Sequence, residues 1–136
     1  MREQSKDKNR LQHILECIDN VFQFLDGKTF EDMTNNRMCF HAVVYNIMII
    51  GEAANMLTKE FRDENQDTPW RDIIDMRHVL VHGYYIASPK FVWDTYVNDL
   101  PILKQQVENY LNVLWCAIVN MPFNVIMVYA ALVSWR

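Results

Sequence analysis

The sequence predicts an all-α protein, built as an antiparallel up-and-down bundle of four to five helices. Only three glycines and four prolines occur in 136 residues, so there is little of the turn chemistry that many short strands need. Hydrophobic residues make up 51% of the chain, which is enough for one compact core. Apolar residues recur at helical spacing over long stretches, and no stretch shows the alternation of a half-buried strand.

The first two long helices are predicted from their apolar stripes. The first stripe ends near residue 25, and Gly27 is expected to terminate that helix as a C-terminal cap. Thr29 and Asp32 form a capping-box pattern that opens a short helical turn. A second helix is expected from about Arg37 to Glu60. Its apolar residues cover so much of its circumference that we predict it to be the central, most buried helix.

Two further helices are predicted from a hydroxyl residue followed by proline. Thr68 is expected to cap a third helix that begins at Pro69 and has the sequence PWRDIIDMRHVLVHG. Ser88 and Pro89 repeat this start signal for a fourth helix. Pro101 lies inside the fourth helix and should kink it.

The C-terminal part of the chain differs from the rest. We predict a helical-bundle domain in residues 1–111 and an atypical apolar C-terminal extension in residues 112–136. The extension has no charged residue before its final arginine, and it reaches the roughly 20 residues that a membrane helix needs. Two asparagines and a proline interrupt it near the middle. A membrane segment, an extra helix packed on the bundle or on a partner, and an out-of-frame extension all remain open.

Charge and cysteine content limit the function classes. The net charge of −4 at pH 7 argues against tight, non-specific binding of nucleic acid. It does not exclude an enzyme that concentrates a few positive groups in one cleft. The three cysteines are odd in number and lack metal-ligand spacing, which indicates reduced thiols. The N-terminal sequence is charged and has no apolar signal-peptide core, so we expect a cytoplasmic protein.

The segment RHVLVHGYY, residues 77–85, carries the side chains that point to chemistry. Arg77 and His82 lie about 140° apart around a helix, so one chain does not bring them to a common point. If two copies of this helix pack around a two-fold axis, two arginines and two histidines line one cleft. Arginine stabilises charge on a phosphate and histidine transfers protons near neutral pH, which suits phosphodiester chemistry. The alternative is that both residues only cap the helix end or form salt bridges.

The same segment resembles the R-x4-H-x-Y motif of the HEPN superfamily, and specifically that of its HepT-like toxins. Arg77, His82 and Tyr84 occupy the three motif positions. Two other segments also resemble this family, namely VVYNIMIIGEAANML in residues 43–57 and VWDTYVNDLPILKQQVENYL in residues 92–111. The resemblance identifies the domain in residues 1–111 as HEPN-like.

This resemblance implies a homodimeric, metal-independent endoribonuclease toxin of a toxin–antitoxin system, which needs no cofactor. In such enzymes a ribose 2′-hydroxyl attacks the adjacent phosphate and leaves a 2′,3′-cyclic phosphate. His82 would act as the acid or base, and Arg77 would stabilise the phosphate, in a composite site at the dimer interface. The implied partners are an RNA substrate and a nucleotidyltransferase-type antitoxin. Such an antitoxin silences related toxins by attaching adenylate to the motif tyrosine, here Tyr84, which would block the cleft and repel RNA.

Two residues are candidates for supporting roles. His78 stands where the family commonly has asparagine, and it lies about 40° from His82 around the helix. The two histidines could therefore serve as a metal-binding pair, or His78 could be a second polar group in the cleft. Glu52 is a charged residue on a largely apolar helix, where it either holds an arginine or a helix terminus, or takes part in catalysis. His13 and His41 are isolated in the sequence and are assigned no role.

A second function class remains open beside the enzyme. The chain could be a non-catalytic helical adaptor that binds and regulates a nucleotidyltransferase. The presence of both Arg77 and His82 favours the enzyme, because an adaptor does not need that pair. A membrane-attached protein is a third interpretation, and it depends only on the C-terminal extension.

Overall fold

The computed structural model describes residues 2–82 and 88–119. In these ranges every regular element is helical and no strand occurs, which confirms the all-α class. The α-helices are α1 (Arg2–Leu25), α2 (Phe30–Asn35), α3 (Arg37–Met56), α4 (Lys59–Glu64), α5 (Trp70–His82), α6 (Pro89–Asp94) and α7 (Leu100–Val119), and a π-helical turn over Thr95–Asp99 joins α6 to α7.

Helix α3 lies at the centre of the packing, as its broad apolar surface predicts. It packs against α1 on one side and against α5 on the other, while α7 packs against α1. Each leucine or isoleucine buried in this way contributes roughly 1.5–3 kcal/mol relative to its exposed state. The fully buried side chains of the core include Leu11, Ile14, Ile18, Leu25, Ile47, Ile50, Leu80 and Leu100.

The predicted helix from Arg37 to Glu60 is wrong at its C-terminal end. Helix α3 ends at Met56, and Leu57 adopts an extended backbone conformation with φ −59° and ψ 144°. Thr58 then begins α4 as its N-cap. The physical reason is a long-range interaction: Asp7 on α1 accepts a 2.9 Å hydrogen bond from the backbone N–H of Thr58 and a 2.6 Å bond from its hydroxyl. These bonds satisfy the buried Asp7 carboxylate and stop the helix one turn early.

The predicted caps after α1, before α2 and before α6 are confirmed. Gly27 follows α1 with φ +67°, the left-handed conformation of a C-terminal cap. The Thr29 hydroxyl accepts from the Asp32 N–H at 3.1 Å, and the Asp32 carboxylate accepts from the Thr29 N–H at 2.9 Å. The hydrogen bond from the Thr29 backbone is the main reason why the pKa of Asp32 is lowered. Ser88 caps α6, and Pro89 follows it.

Thr68 does not cap α5 as predicted. Its hydroxyl instead donates to the side-chain oxygen of Gln106 at 2.9 Å and lies 2.7 Å from the Tyr110 hydroxyl, so it ties the start of α5 to α7. Thr68 is 2% exposed. A buried hydroxyl needs a hydrogen-bond partner. The side chains of Gln106 and Tyr110 on α7 fill this role, so the Thr68 hydroxyl does not bind the free N–H groups at the start of α5.

The predicted fourth helix consists of two α-helices joined by the π-helical turn. Pro101 has no N–H for the carbonyl four residues earlier, and its ring would press on that carbonyl. The Leu100 N–H donates to the Thr95 carbonyl, five residues earlier instead of four. The helical turn just before the proline therefore contains one extra residue. The distortion predicted at Pro101 therefore takes the form of a π-helical turn.

Helix α7 continues to Val119, past residue 111, where the domain was predicted to end. Residues 120–136 lie outside the described part of the chain, and the division into a domain and an extension stays a prediction. Among the helices of residues 2–82 and 88–119, none combines the length and apolar character that a membrane crossing requires.

Candidate active site

Arg77 lies where α5 packs closely against α3. Gly51 of α3 faces it, and a Cβ atom placed on Gly51 would collide with the Cβ of Arg77 and stand 3.0 Å from the Ile73 carbonyl oxygen. Only glycine permits the two helix backbones to come so close. The Gly51 contact therefore determines how close the Cα and Cβ atoms of Arg77 lie to α3.

Glu52, the next residue of α3, contacts the guanidinium group. The Nε atom of Arg77 lies 2.6 Å from Oε2 of Glu52, and the two side chains are 36% and 41% exposed. The Oε2 atom itself is buried and receives no well-aligned hydrogen bond from the described residues, so the contact is a close ion pair. A partly exposed pair of this kind adds about 1 kcal/mol or less to stability. Its main effect is to orient the arginine.

His78 and His82 form the exposed end of the described part of α5. Their ring centroids are 4.5 Å apart and their planes are inclined by 53°. In the described part of the chain, no group of three or more histidine, cysteine or acidic side chains is placed to hold a metal ion. The histidine pair therefore has no third ligand among those residues.

The two motif side chains extend from α5 in different directions. Arg77 turns toward Glu52 on α3, whereas His82 lies against His78 at the exposed end of the helix. This arrangement agrees with the predicted separation of about 140°. A single chain therefore supplies an anchored cation and an exposed imidazole on separate faces. The third motif residue, Tyr84, lies outside the described residues.

An exposed apolar surface lies between α3 and α5. Tyr45 of α3 is 61% exposed and Val81 of α5 is 36% exposed. Together with Met48 and His41 they line a groove between the two helices. Exposed apolar patches next to a functional site often mark a protein–protein interface.

The model of the family described as "Ribonuclease HepT-like" matches residues 14–110. The chain belongs to this family. The match runs from within α1 to within α7 and includes Arg77 and His82 of α5. It confirms the resemblance that the sequence segments indicated.

Named relatives cover the same part of the chain. "Putative RNase TTE0752" of Caldanaerobacter subterraneus subsp. tengcongensis is 35% identical over 101 residues, which are 74% of this chain and 90% of the relative. "Putative RNase MJ1380" of Methanocaldococcus jannaschii is 31% identical over 98 residues, 72% of this chain and 90% of the relative. "Probable ribonuclease HepT" of Thermococcus cleftensis is 32% identical over 101 residues, 74% of this chain and 92% of the relative. No solved structure matches the chain.

Two features of this HepT-like chain were missed in the sequence. One is Gly51, whose role depends on which residue of another helix faces it. The other is His13, which was judged isolated but lies in a groove with Lys6, Asn9 and Arg10. The spacing of these four residues places them on one face of a helix, and this signal could have been found in the sequence.

Proposed function

We propose that this chain is a metal-independent endoribonuclease toxin of a toxin–antitoxin system, acting as a homodimer of its helical bundle. The observation that carries the proposal is the Glu52–Arg77 ion pair of 2.6 Å inside a HepT-like chain. It holds a permanently charged guanidinium group at a fixed place, with no other carboxylate among the described residues paired to it. Such a preorganised cation stabilises charge on a phosphate in the transition state.

The proposed reaction is an internal transfer of the phosphate. The 2′-oxygen of the ribose forms a bond to phosphorus, the bond from phosphorus to the 5′-oxygen of the next nucleotide breaks, and a 2′,3′-cyclic phosphate remains. One imidazole takes the proton of the 2′-hydroxyl and another gives a proton to the leaving 5′-oxygen. Two copies of His82 in a dimer would supply both groups. Two copies of Arg77 would neutralise the phosphate oxygens.

The exposed apolar surface around Tyr45 and Val81 supports a dimer that brings the α5 helices together. An isologous interface uses the same patch on both subunits. Val81 of this patch directly precedes His82 on α5, so a pairing through the patch would bring the two copies of this end of α5 toward each other. The two Arg77 side chains, each paired with Glu52 of its own α3, would line the sides of the cleft between the subunits.

Replacing Arg77 with lysine tests the phosphate-binding role. We expect Arg77→Lys to cleave bulk RNA at a small fraction of the wild-type rate, because lysine keeps the charge but loses the planar group that holds two oxygens at once. The measurement is cleavage of purified RNA, with growth arrest on expression as a second readout. Arg71→Lys, on the exposed first turn of α5, is the matched control and should cleave as wild type. If Arg77→Lys cleaves RNA and arrests growth as wild type does, the chain uses another group to stabilise the phosphate. If wild type itself does not cleave RNA, the chain is a non-catalytic adaptor.

A mixed dimer tests whether the site is composite. We expect a heterodimer of one wild-type and one His82→Ala subunit, purified through two different affinity tags, to cleave RNA at far less than half the wild-type rate. The reason is that the proposed reaction uses one imidazole from each subunit. A heterodimer of one wild-type and one Arg71→Lys subunit, purified in the same way, is the control and should cleave as wild type. If the heterodimer with His82→Ala keeps half the wild-type rate, each subunit carries a complete site of its own.

The proposed regulatory partner is a nucleotidyltransferase-type antitoxin that modifies Tyr84. This residue follows His82 by two positions in the sequence. Adenylate attached there would add negative phosphate next to the imidazole and repel RNA from the cleft.

A further inference from the structure

A groove between α1 and α3 carries a concentration of basic side chains that the active site does not use. Lys6, Arg10 and His13 line it from α1, and Ile49 and Met56 form part of its α3 side. The chain as a whole has a net charge of −4, so a local cluster of this kind runs against the overall balance. Four of the 13 lysine and arginine residues lie in the first ten positions.

The basic side chains share one face of α1. Lys6, Asn9, Arg10 and His13 follow helical spacing and extend over about 10 Å of the helix. Arg10 is held by the buried carboxylate of Asp7 at 3.3 Å and remains 24% exposed. Lys6 is exposed and forms no salt bridge with the described residues. The face thus presents an arginine anchored by Asp7 and an exposed lysine in one row.

The groove leads directly to the candidate active site. Glu52 lines the groove, and its carboxylate is the group that contacts Arg77. It is the only acidic side chain among the described residues that line this groove. The basic face of α1 therefore lies along a groove that also contains Glu52, the α3 member of the Glu52–Arg77 ion pair.

We propose that this groove binds the phosphodiester backbone of single-stranded RNA beside the bond that is cleaved, an inference that rests on the proposed ribonuclease function. The positive groups would contact phosphates, and the Asn9 amide can donate to a phosphate or sugar oxygen. Met56 is 52% exposed on the opposite wall, and an apolar wall suits the faces of unpaired bases. The groove gives affinity without sequence readout.

The test measures binding in a His82→Ala background, so that the RNA stays intact. A fluorescein-labelled single-stranded RNA of mixed sequence is titrated with the parent and with a Lys6→Glu variant at several salt concentrations. We expect Lys6→Glu to bind several-fold more weakly. We expect the slope of log K against log salt to become shallower by about 0.7, the value for one lost phosphate contact on a single strand. His13→Gln should weaken binding in the same direction.

Lys28→Glu is the matched control. Lys28 is exposed near the other end of α1, forms no salt bridge with the described residues, and its replacement changes the net charge equally. With His82 restored, Lys6→Glu should raise KM and leave kcat unchanged, as expected for lost ground-state binding. If wild type cleaves RNA while Lys6→Glu and Lys28→Glu bind equally, the groove proposal is wrong and the ribonuclease stands. If wild type neither binds nor cleaves RNA, both proposals are wrong.

Discussion

His82→Ala is expected to reduce RNA cleavage by about 10²–10⁴-fold, the usual contribution of general acid–base catalysis. His82 is exposed at the end of the described part of α5. Among the described residues, His78 is the only one whose ring packs against that of His82. Its replacement should therefore leave the fold intact, and the urea midpoint of unfolding should stay close to that of wild type. The measurement is the single-turnover rate on bulk RNA, with the unfolding midpoint of each sample recorded beside it.

His78→Ala and a chelator separate acid–base chemistry from metal chemistry. If His82 transfers protons, EDTA changes nothing, and His78→Ala loses much less activity than His82→Ala. If the two histidines hold a metal, both variants lose activity to a similar extent and EDTA abolishes cleavage. Cleavage by His82→Ala at the wild-type rate would remove this residue from the mechanism altogether.

Gly51→Ala is expected to damage both stability and activity, because it forces α3 and α5 apart. The new Cβ would meet the Cβ of Arg77, which is fixed to the backbone and cannot rotate away. Overpacking of this kind costs about 1–3 kcal/mol, and the higher helix propensity of alanine offsets up to about 1 kcal/mol of it. The same shift displaces Arg77, and a displacement of about 1 Å can cost on the order of 10² in rate.

Gly27→Ala is the control that separates the two effects. Gly27 has a positive φ of 67° and no atom within 4 Å of an added Cβ, so alanine there strains the backbone but touches nothing. The strain costs about 1–2 kcal/mol. Under conditions where both variants are folded, Gly27→Ala should cleave RNA at the wild-type rate and Gly51→Ala should not. Equal activity of the two variants would show that the Gly51 contact does not position Arg77.

The helices and most of their boundaries could be predicted because they depend on neighbouring residues. The apolar stripe of α1, Gly27 after it, the Thr29–Asp32 box and the Ser88–Pro89 start are all local signals, and the structure confirms them. The family, too, is evident in the sequence, because the motif of α5 stands between two other recognisable segments. Local hydrogen bonding and helical periodicity are enough for these features.

The places where prediction failed are those where a distant residue competes for a local group. Thr58 stops α3 because Asp7, 51 positions earlier, accepts two hydrogen bonds from it. The Thr68 side chain does not cap α5 because Gln106 and Tyr110 bind its hydroxyl. In both cases a buried polar group takes the partner that tertiary packing offers, and no short window of sequence contains that partner.

The candidate residues Arg77, His82, Tyr84, His78 and Glu52 could be identified from the sequence, and so could the separate directions of Arg77 and His82 on one helix. How the described side chains are arranged depends on tertiary packing. The lack of a side chain at Gly51 lets α5 approach α3, and the approach brings the Glu52 carboxylate to 2.6 Å from the Arg77 guanidinium group. The position of a residue in a helix determines the direction in which its side chain leaves the axis of that helix. The partner that it meets depends on how closely the next helix can pack, which is a property of two surfaces together.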